Sequence, residues 1–254
     1  MQRVVIGKVI AQAYNYLNHN HSRVTVFLSL PVILPQINNV MIPVEENRKP
    51  KRTPLTPEQR QQRQFLQSQL IYEMDDKPIY YAGYRDVLTG SKELDEIMGA
   101  SYLQSYLIEI IQEFLFTHPL RKRFRILASE LGIQIDKKKW RSCDIALYEK
   151  TRLQGVPFTN KYMSVAPDYV IEIDTKADLS QYQYQHEYFV KKTRQLHEFG
   201  VKKVIWIFTE NIPVIWESDS ADTIIIRDGW NHDVTITEGL TFNLATLYAE
   251  SQKE

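Results

Sequence analysis

Ala166-Pro167-Asp168-Tyr169-Val170-Ile171-Glu172-Ile173, followed by Lys191-Lys192-Thr193-Arg194-Gln195-Leu196-His197-Glu198-Phe199-Gly200 and then Val201-Lys202-Lys203-Val204-Ile205-Trp206-Ile207-Phe208, is the part of the chain that decides its fold. The first segment is a β-branched, apolar run interrupted by one glutamate, which reads as a strand. The second is helical over 183–199 and stops at Gly200, a residue suited to the left-handed C-cap. The third is apolar and β-branched, a second strand.

Working outward, Leu103, Tyr106, Leu107, Ile110, Ile111, Phe114 and Leu115 recur at helical spacing, so residues 95–117 are expected to form one long amphipathic helix. Phe124 to Leu127 and Ser142 to Tyr148 read as strands, as do Pro213 to Trp216 and Thr223 to Ile226, with Asp219 to Asp222 as a hairpin turn. Helix, several strands, helix and further strands predict an α/β (α+β) domain in which helices flank a central mixed sheet. Upstream, residues 4–18 are compatible with a helix and Arg23 to Leu30 with a strand. Residues 42–57 are polar and proline-bearing, a linker, and Thr56-Pro57 marks the start of a polar helix. Residues 1–75 are therefore expected to be an N-terminal extension, and residues 76–254 the main domain.

The composition is that of a globular protein, 43% hydrophobic and 24% charged over 254 residues. The formal net charge is zero, so nucleic-acid contacts would have to come from local clusters: Arg121, Lys122, Arg123 and Arg125, or Lys137, Lys138 and Lys139. Such runs are also met as solvated loop charges. The single cysteine, Cys143, excludes a disulfide framework and a cysteine zinc site. Neither a signal peptide nor a membrane-spanning run is evident, which points to a cytoplasmic protein.

Asp144 and Glu172 stand inside or beside apolar strand sequence, where a carboxylate is costly unless paired, hydrogen-bonded or metal-bound. Asp174 returns to the face of Glu172 on strand alternation. Carboxylates converging at strand ends would suit Mg²⁺ or Mn²⁺. The alternative is that Asp144 and Glu172 are strand-end carboxylates facing solvent. His186 and His197 are too far apart on one helix to form a zinc pair, and Tyr184 and Tyr188 read as packing residues.

The segments WRSCDIALYEK, APDYVIEI and KKTRQLHEFGVKKVIWIF together resemble the core of the PD-(D/E)XK nuclease superfamily, and more narrowly the Uma-two family of restriction-endonuclease-like proteins. The resemblance runs from about Tyr80 to Ala249, including Leu240-Thr241-Phe242-Asn243-Leu244 at the end. It implies a metal site at the end of a helix-flanked mixed sheet, with Asp144 as the first aspartate, Glu172 as the glutamate and Lys192, eight residues before Gly200, as the helix lysine. The superfamily's usual lysine, two residues after the glutamate, is replaced here by Asp174. Lys176 is the local competitor of Lys192, and Glu109 on the long helix is a candidate for a further acid.

The function so implied is that of a Mg²⁺- or Mn²⁺-dependent endonuclease on DNA, with Asp144, Glu172 and Lys192 catalytic and Asp144, Glu172 and Asp174 as ligands; a homodimer would suit double-strand cleavage. The alternative is a non-catalytic module of the same fold that binds nucleic acid or protein, kept open by Asp174 in the lysine position.

Overall fold

The computed structural model describes residues 4–5, 55–210 and 213–253. In chain order the elements are β1 (Val4–Val5), α1 (Pro57–Gln69), β2 (Ile71–Met74), β3 (Pro78–Tyr80), α2 (Tyr84–Thr89), α3 (Asp95–Met98) and α4 (Tyr102–Thr117). There follow β4 (Phe124–Gln134), β5 (Trp140–Glu149), β6 (Tyr169–Ile173), α5 (His186–Phe199), β7 (Lys203–Phe208), β8 (Val214–Ser220) and β9 (Thr223–Asp228). The hairpin β10 (Asp233–Thr237) and β11 (Leu240–Asn243) and the helix α6 (Leu244–Ser251) close the chain.

The result is a mixed α+β architecture. One sheet runs β1-β9-β8-β7-β6-β5-β2-β3, with β4 also paired to β5. Its parallel pair, β6 with β7, is joined through α5, while the other pairs are antiparallel. Alternation along the strands sends Ile171, Ile173, Ile205, Ile207 and Ile215 to one face, where they pack with Leu107, Ile110, Ile111 and Leu115 of α4 and with the β10–β11 hairpin. Val170, Val204, Trp206, Val214 and Trp216 go to the other face and meet Tyr188, Phe189 and Leu196 of α5. Both faces are thus apolar and covered, as expected for central strands without an alternating polar face.

Local chemistry sets the element ends. Thr56 and Gln59 form a reciprocal capping box at α1, with Pro57 at its first position. Gly200 takes φ 117° beyond α5, a conformation that costs other residues a Cβ clash. The helix expected over 95–117 is two helices: α3 ends at Gly99, and Ser101 caps α4 by accepting from the Gln104 N–H. The strand expected at Phe124 to Leu127 is the first part of an eleven-residue strand. It forms a hairpin with β5, in whose turn the Asp136 carboxylate accepts from Lys138 and Lys139 N–H.

The boundary expected after residue 75 falls just past β2, and β2 pairs with β5 in the central sheet. The folded unit therefore begins upstream of that boundary. Of the helix expected over 4–18, Val4 and Val5 instead form β1, paired to β9; its other residues, the strand from Arg23 to Leu30 and most of the linker lie outside the described residues.

Candidate functional site

The candidate site lies where the sheet divides. β6 follows β5 only as far as the pair Ile145–Ile171, and β2 meets the same edge of β5 at Trp140. Between these contacts, Arg141, Ser142, Cys143 and Asp144 have no strand neighbour on that edge, and side chains fill the gap. Glu73 of β2 accepts from the Ser142 N–H at 3.1 Å, and Asp144 accepts from the Ile173 N–H at 2.7 Å.

On its other edge β5 meets an irregularity. Ala128 pairs with Ile145 and Leu131 with Cys143, so Ser129 and Glu130 together stand opposite Asp144. This is a β-bulge, and both of its residues have positive φ, 75° and 55°. Strict alternation breaks at the same place: Ile145 packs on the α4 face and Cys143 on the α5 face. Asp144 accordingly reaches Gln104 of α4, whose side-chain amide donates to the Asp144 carboxylate at 3.4 Å and to the Ile173 carbonyl at 2.9 Å.

The register puts Glu172 one residue beyond Ile171, opposite Asp144 where the strands part. Lys192 comes from α5, with its ammonium 3.0 Å from Glu172 Oε1 and 2.9 Å from Glu73 Oε1. It also lies 5.2 Å from the Trp206 ring centroid. Asp144, Glu172, Lys192, Glu73 and Arg141 are all 5% exposed or less, so the solvent-facing alternative for the two strand carboxylates does not hold.

Glu73 is the best-satisfied of these acids. Besides Ser142 and Lys192, it accepts from Arg141 Nη1 at 2.7 Å and from the Tyr188 hydroxyl at 2.8 Å. Burial raises its pKa, but Lys192 and Arg141 outweigh that and hold it below the usual glutamate value. Arg141 also donates to Asp75 at 3.2 Å, and Asp75 takes the ammonium of Lys191 and the amide of Gln195. Lys191 thus faces partly outward to Asp75 and Asp76 while its neighbour Lys192 faces inward, as the 100° step of a helix requires.

Glu172 is the opposite case. Burial, with Asp144 and Glu73 adding repulsion, pushes its pKa up to about 8 although Lys192 opposes the shift. Its Oε1 has no directed hydrogen bond. Asp144 is raised as well, by burial, against the pull of the Ile173 N–H and Lys192. Glu172 and Glu73 share Lys192, and Arg141 is divided between Glu73 and Asp75.

The pKa of Glu172 rises on folding from 4.5 to about 8. Between those values the unfolded chain has released a proton that the folded protein still holds, so stability falls as pH rises through that window. The melting temperature of metal-free protein, measured from pH 4.5 to 8, should therefore decline more steeply for the wild type than for Glu172→Gln. Parallel curves would show that Glu172 does not titrate in this way.

Asp174, expected as a third ligand, turns its carboxylate to Thr209: one oxygen accepts from the Thr209 N–H at 2.8 Å and the other from its hydroxyl at 2.6 Å. It sits at φ 53°, where β6 ends and strand alternation no longer applies. Lys176 pairs with Glu130 and donates to the Met98 carbonyl at 3.2 Å. Glu109 is exposed on α4, and Gln104 of the same helix reaches the site in its stead. His197 bridges the Val201 carbonyl and the Ser218 hydroxyl. Among the basic clusters, Arg123 pairs with Glu149, and Lys139 with Asp75 and Asp76.

Glu73, Glu130 and Arg141 are site residues that sequence reasoning missed. The available signal was a charged residue inside a strand-like run, as in Ile71-Tyr72-Glu73-Met74. As regards a metal, the donors that converge at the gap are hard carboxylate oxygens, and the Glu172 oxygen without a directed hydrogen bond fits an arriving divalent cation. Among the described residues no group of three or more His, Cys, Asp or Glu is arranged as a complete metal site.

No family model matches the chain, and no curated protein matches it. Among solved structures, it is similar to a protein of Anabaena variabilis ATCC 29413 described as "a putative nuclease belonging to DUF820", at 18% sequence identity and a TM-score of 0.41, over 58% of this chain and 78% of that one. No described helix is long and apolar enough to cross a membrane.

Proposed function

We propose that the protein is a nuclease that hydrolyses phosphodiester bonds in DNA with the help of Mg²⁺ or Mn²⁺. The observation that carries this reading is the convergence of Asp144, Glu172 and Lys192 in one buried cluster where the sheet divides. Asp144 and Glu172 would hold the cation, whose binding would release the proton that Glu172 keeps below about pH 8. When bound, such an ion polarises a phosphate and makes a nearby water more acidic.

The chain's own residues prepare the rest. The Ile173 N–H and Gln104 fix the Asp144 carboxylate, so it meets an ion in one orientation. Lys192 keeps its positive charge, because Glu172 and Glu73 outweigh the effect of burial. An ammonium fixed there stabilises negative charge developing on a phosphate and orients water by donating to it. Trp206 and Tyr188 flank the lysine and keep bulk water away from its stem.

A second reading is supported by one observation: Lys192 already bridges Glu73 and Glu172, so the cluster is partly closed without an ion. A module of this kind would bind nucleic acid or protein without cutting. Plasmid incubated with the full chain and Mg²⁺ or Mn²⁺ separates the two. We expect cleavage by the wild type and loss of about 100-fold or more with Asp144→Ala, the scale for removing a group that organises charge at a reacting centre. Equal residual activity in the two proteins would mark the cleavage as a contaminant and favour the second reading.

A further inference from the structure

We infer that Glu73 is a positioning residue that holds Lys192 in place, so that Glu172 is free to accept a divalent cation. The inference rests on the assignment of Asp144, Glu172 and Lys192 made above. It adds a residue from β2, upstream of the segment that carries the sequence resemblance.

Lys192 lies almost equally far from two carboxylates, 2.9 Å from Glu73 and 3.0 Å from Glu172. The two are not equivalent. Glu73 is fully buried and held by the Ser142 N–H, Arg141 and the Tyr188 hydroxyl, so neither of its oxygens can leave without breaking other bonds. Glu172 Oε1 has Lys192 as its ionic partner and no directed hydrogen bond. A cation that takes Glu172 therefore displaces one contact of Lys192 and leaves the other. Without the Glu73 charge, Glu172 would be the remaining carboxylate within ion-pair distance of a buried ammonium. The cation would then have to strip that ammonium of its partner, which is costly in the interior.

Mn²⁺ binding to the full chain, measured by calorimetry, tests this without reference to turnover. Four proteins are needed: wild type, Glu73→Gln, Lys192→Met and the double variant. Glu73→Gln should weaken Mn²⁺ binding by about 10-fold to 100-fold, the range for residues that support metal ligands from outside the coordination shell. In the Lys192→Met background the same change should have no effect, since the lysine it holds is gone. Glu73→Asp keeps the charge but draws the carboxylate back from Lys192. It serves as the second variant should Glu73→Gln fail to fold, and should weaken Mn²⁺ binding in the same lysine-dependent way. Wild-type affinity in a folded Glu73 variant overturns the inference. A loss of equal size with and without Lys192 also overturns it, because Glu73 would then act through net charge. If the wild type binds no Mn²⁺, the metal reading fails and this inference falls with it, a result distinct from the other two.

Discussion

Lys192→Ala is expected to destabilise the fold by about 3–5 kcal/mol, because it leaves Glu73 and Glu172 as buried carboxylates without their shared cation. The loss should be visible as a lower denaturant midpoint at pH 8 and should shrink toward pH 5, where Glu172 holds its proton in the folded protein. Cleavage should fall to background even where the variant is folded. Lys192→Met, which keeps more of the stem beside Trp206 and Tyr188, is the better variant for activity. Lys176→Ala is the control. Lys176 pairs with Glu130 at the edge of the site and makes no ion pair with Glu172 or Glu73, so its removal should cost less stability than that of Lys192 and leave cleavage measurable. Loss of cleavage in Lys176→Ala with retention in Lys192→Met would transfer the role to Lys176.

Arg141→Ala should cost a similar amount, again about 3–5 kcal/mol. Arg141 is 1% exposed and binds Glu73, Asp75 and Gln195 through three different nitrogens, under the Tyr188 ring. Arg141→Lys should recover only part of the loss, since one ammonium cannot reproduce a planar fork that meets partners on two sides. Chemical denaturation of the two variants checks the order. A lysine variant as stable as the wild type would mean that charge alone, and not geometry, secures β2 to β5.

Much of this was readable from the sequence, for identifiable reasons. β6 and β7 announce themselves as apolar, β-branched runs and α5 as an amphipathic helix that stops at Gly200, and the resemblance carried by these segments and by β5 implies Asp144, Glu172 and Lys192. The break in the helix over 95–117 was also signalled, by Gly99 and the capping Ser101, but the apolar period that continues beyond it masked the stop. The resemblance offers Glu109 as the acid on α4, whereas the position takes a neutral donor, Gln104, able to reach two acceptors. Asp174 was assigned by alternation, and its positive φ ends alternation at that residue.

Glu73 and Glu130 were harder to see. β2 is four residues long and meets β5 at a single pair, so its membership of the sheet depends on distant contacts and not on local pattern. Glu130 reaches the site because a bulge places two residues opposite Asp144. Nothing in the propensity of Ser129 or Glu130 calls for that conformation.

The division of the sheet also governs the order in which the molecule can assemble. The β4–β5 hairpin joins neighbours in the chain, so it can form early and at little cost in loop closure. The charges that close the gap beside it come from far apart: Glu73 meets Arg141 across 68 residues and Tyr188 across 115, and Asp75 meets Gln195 across 120. Such pairings are made slowly. Until α5 docks, Glu73 and Arg141 remain in water, where ionised groups are at no disadvantage. The ion network is therefore neutral toward early folding and becomes costly only when α5 seals it.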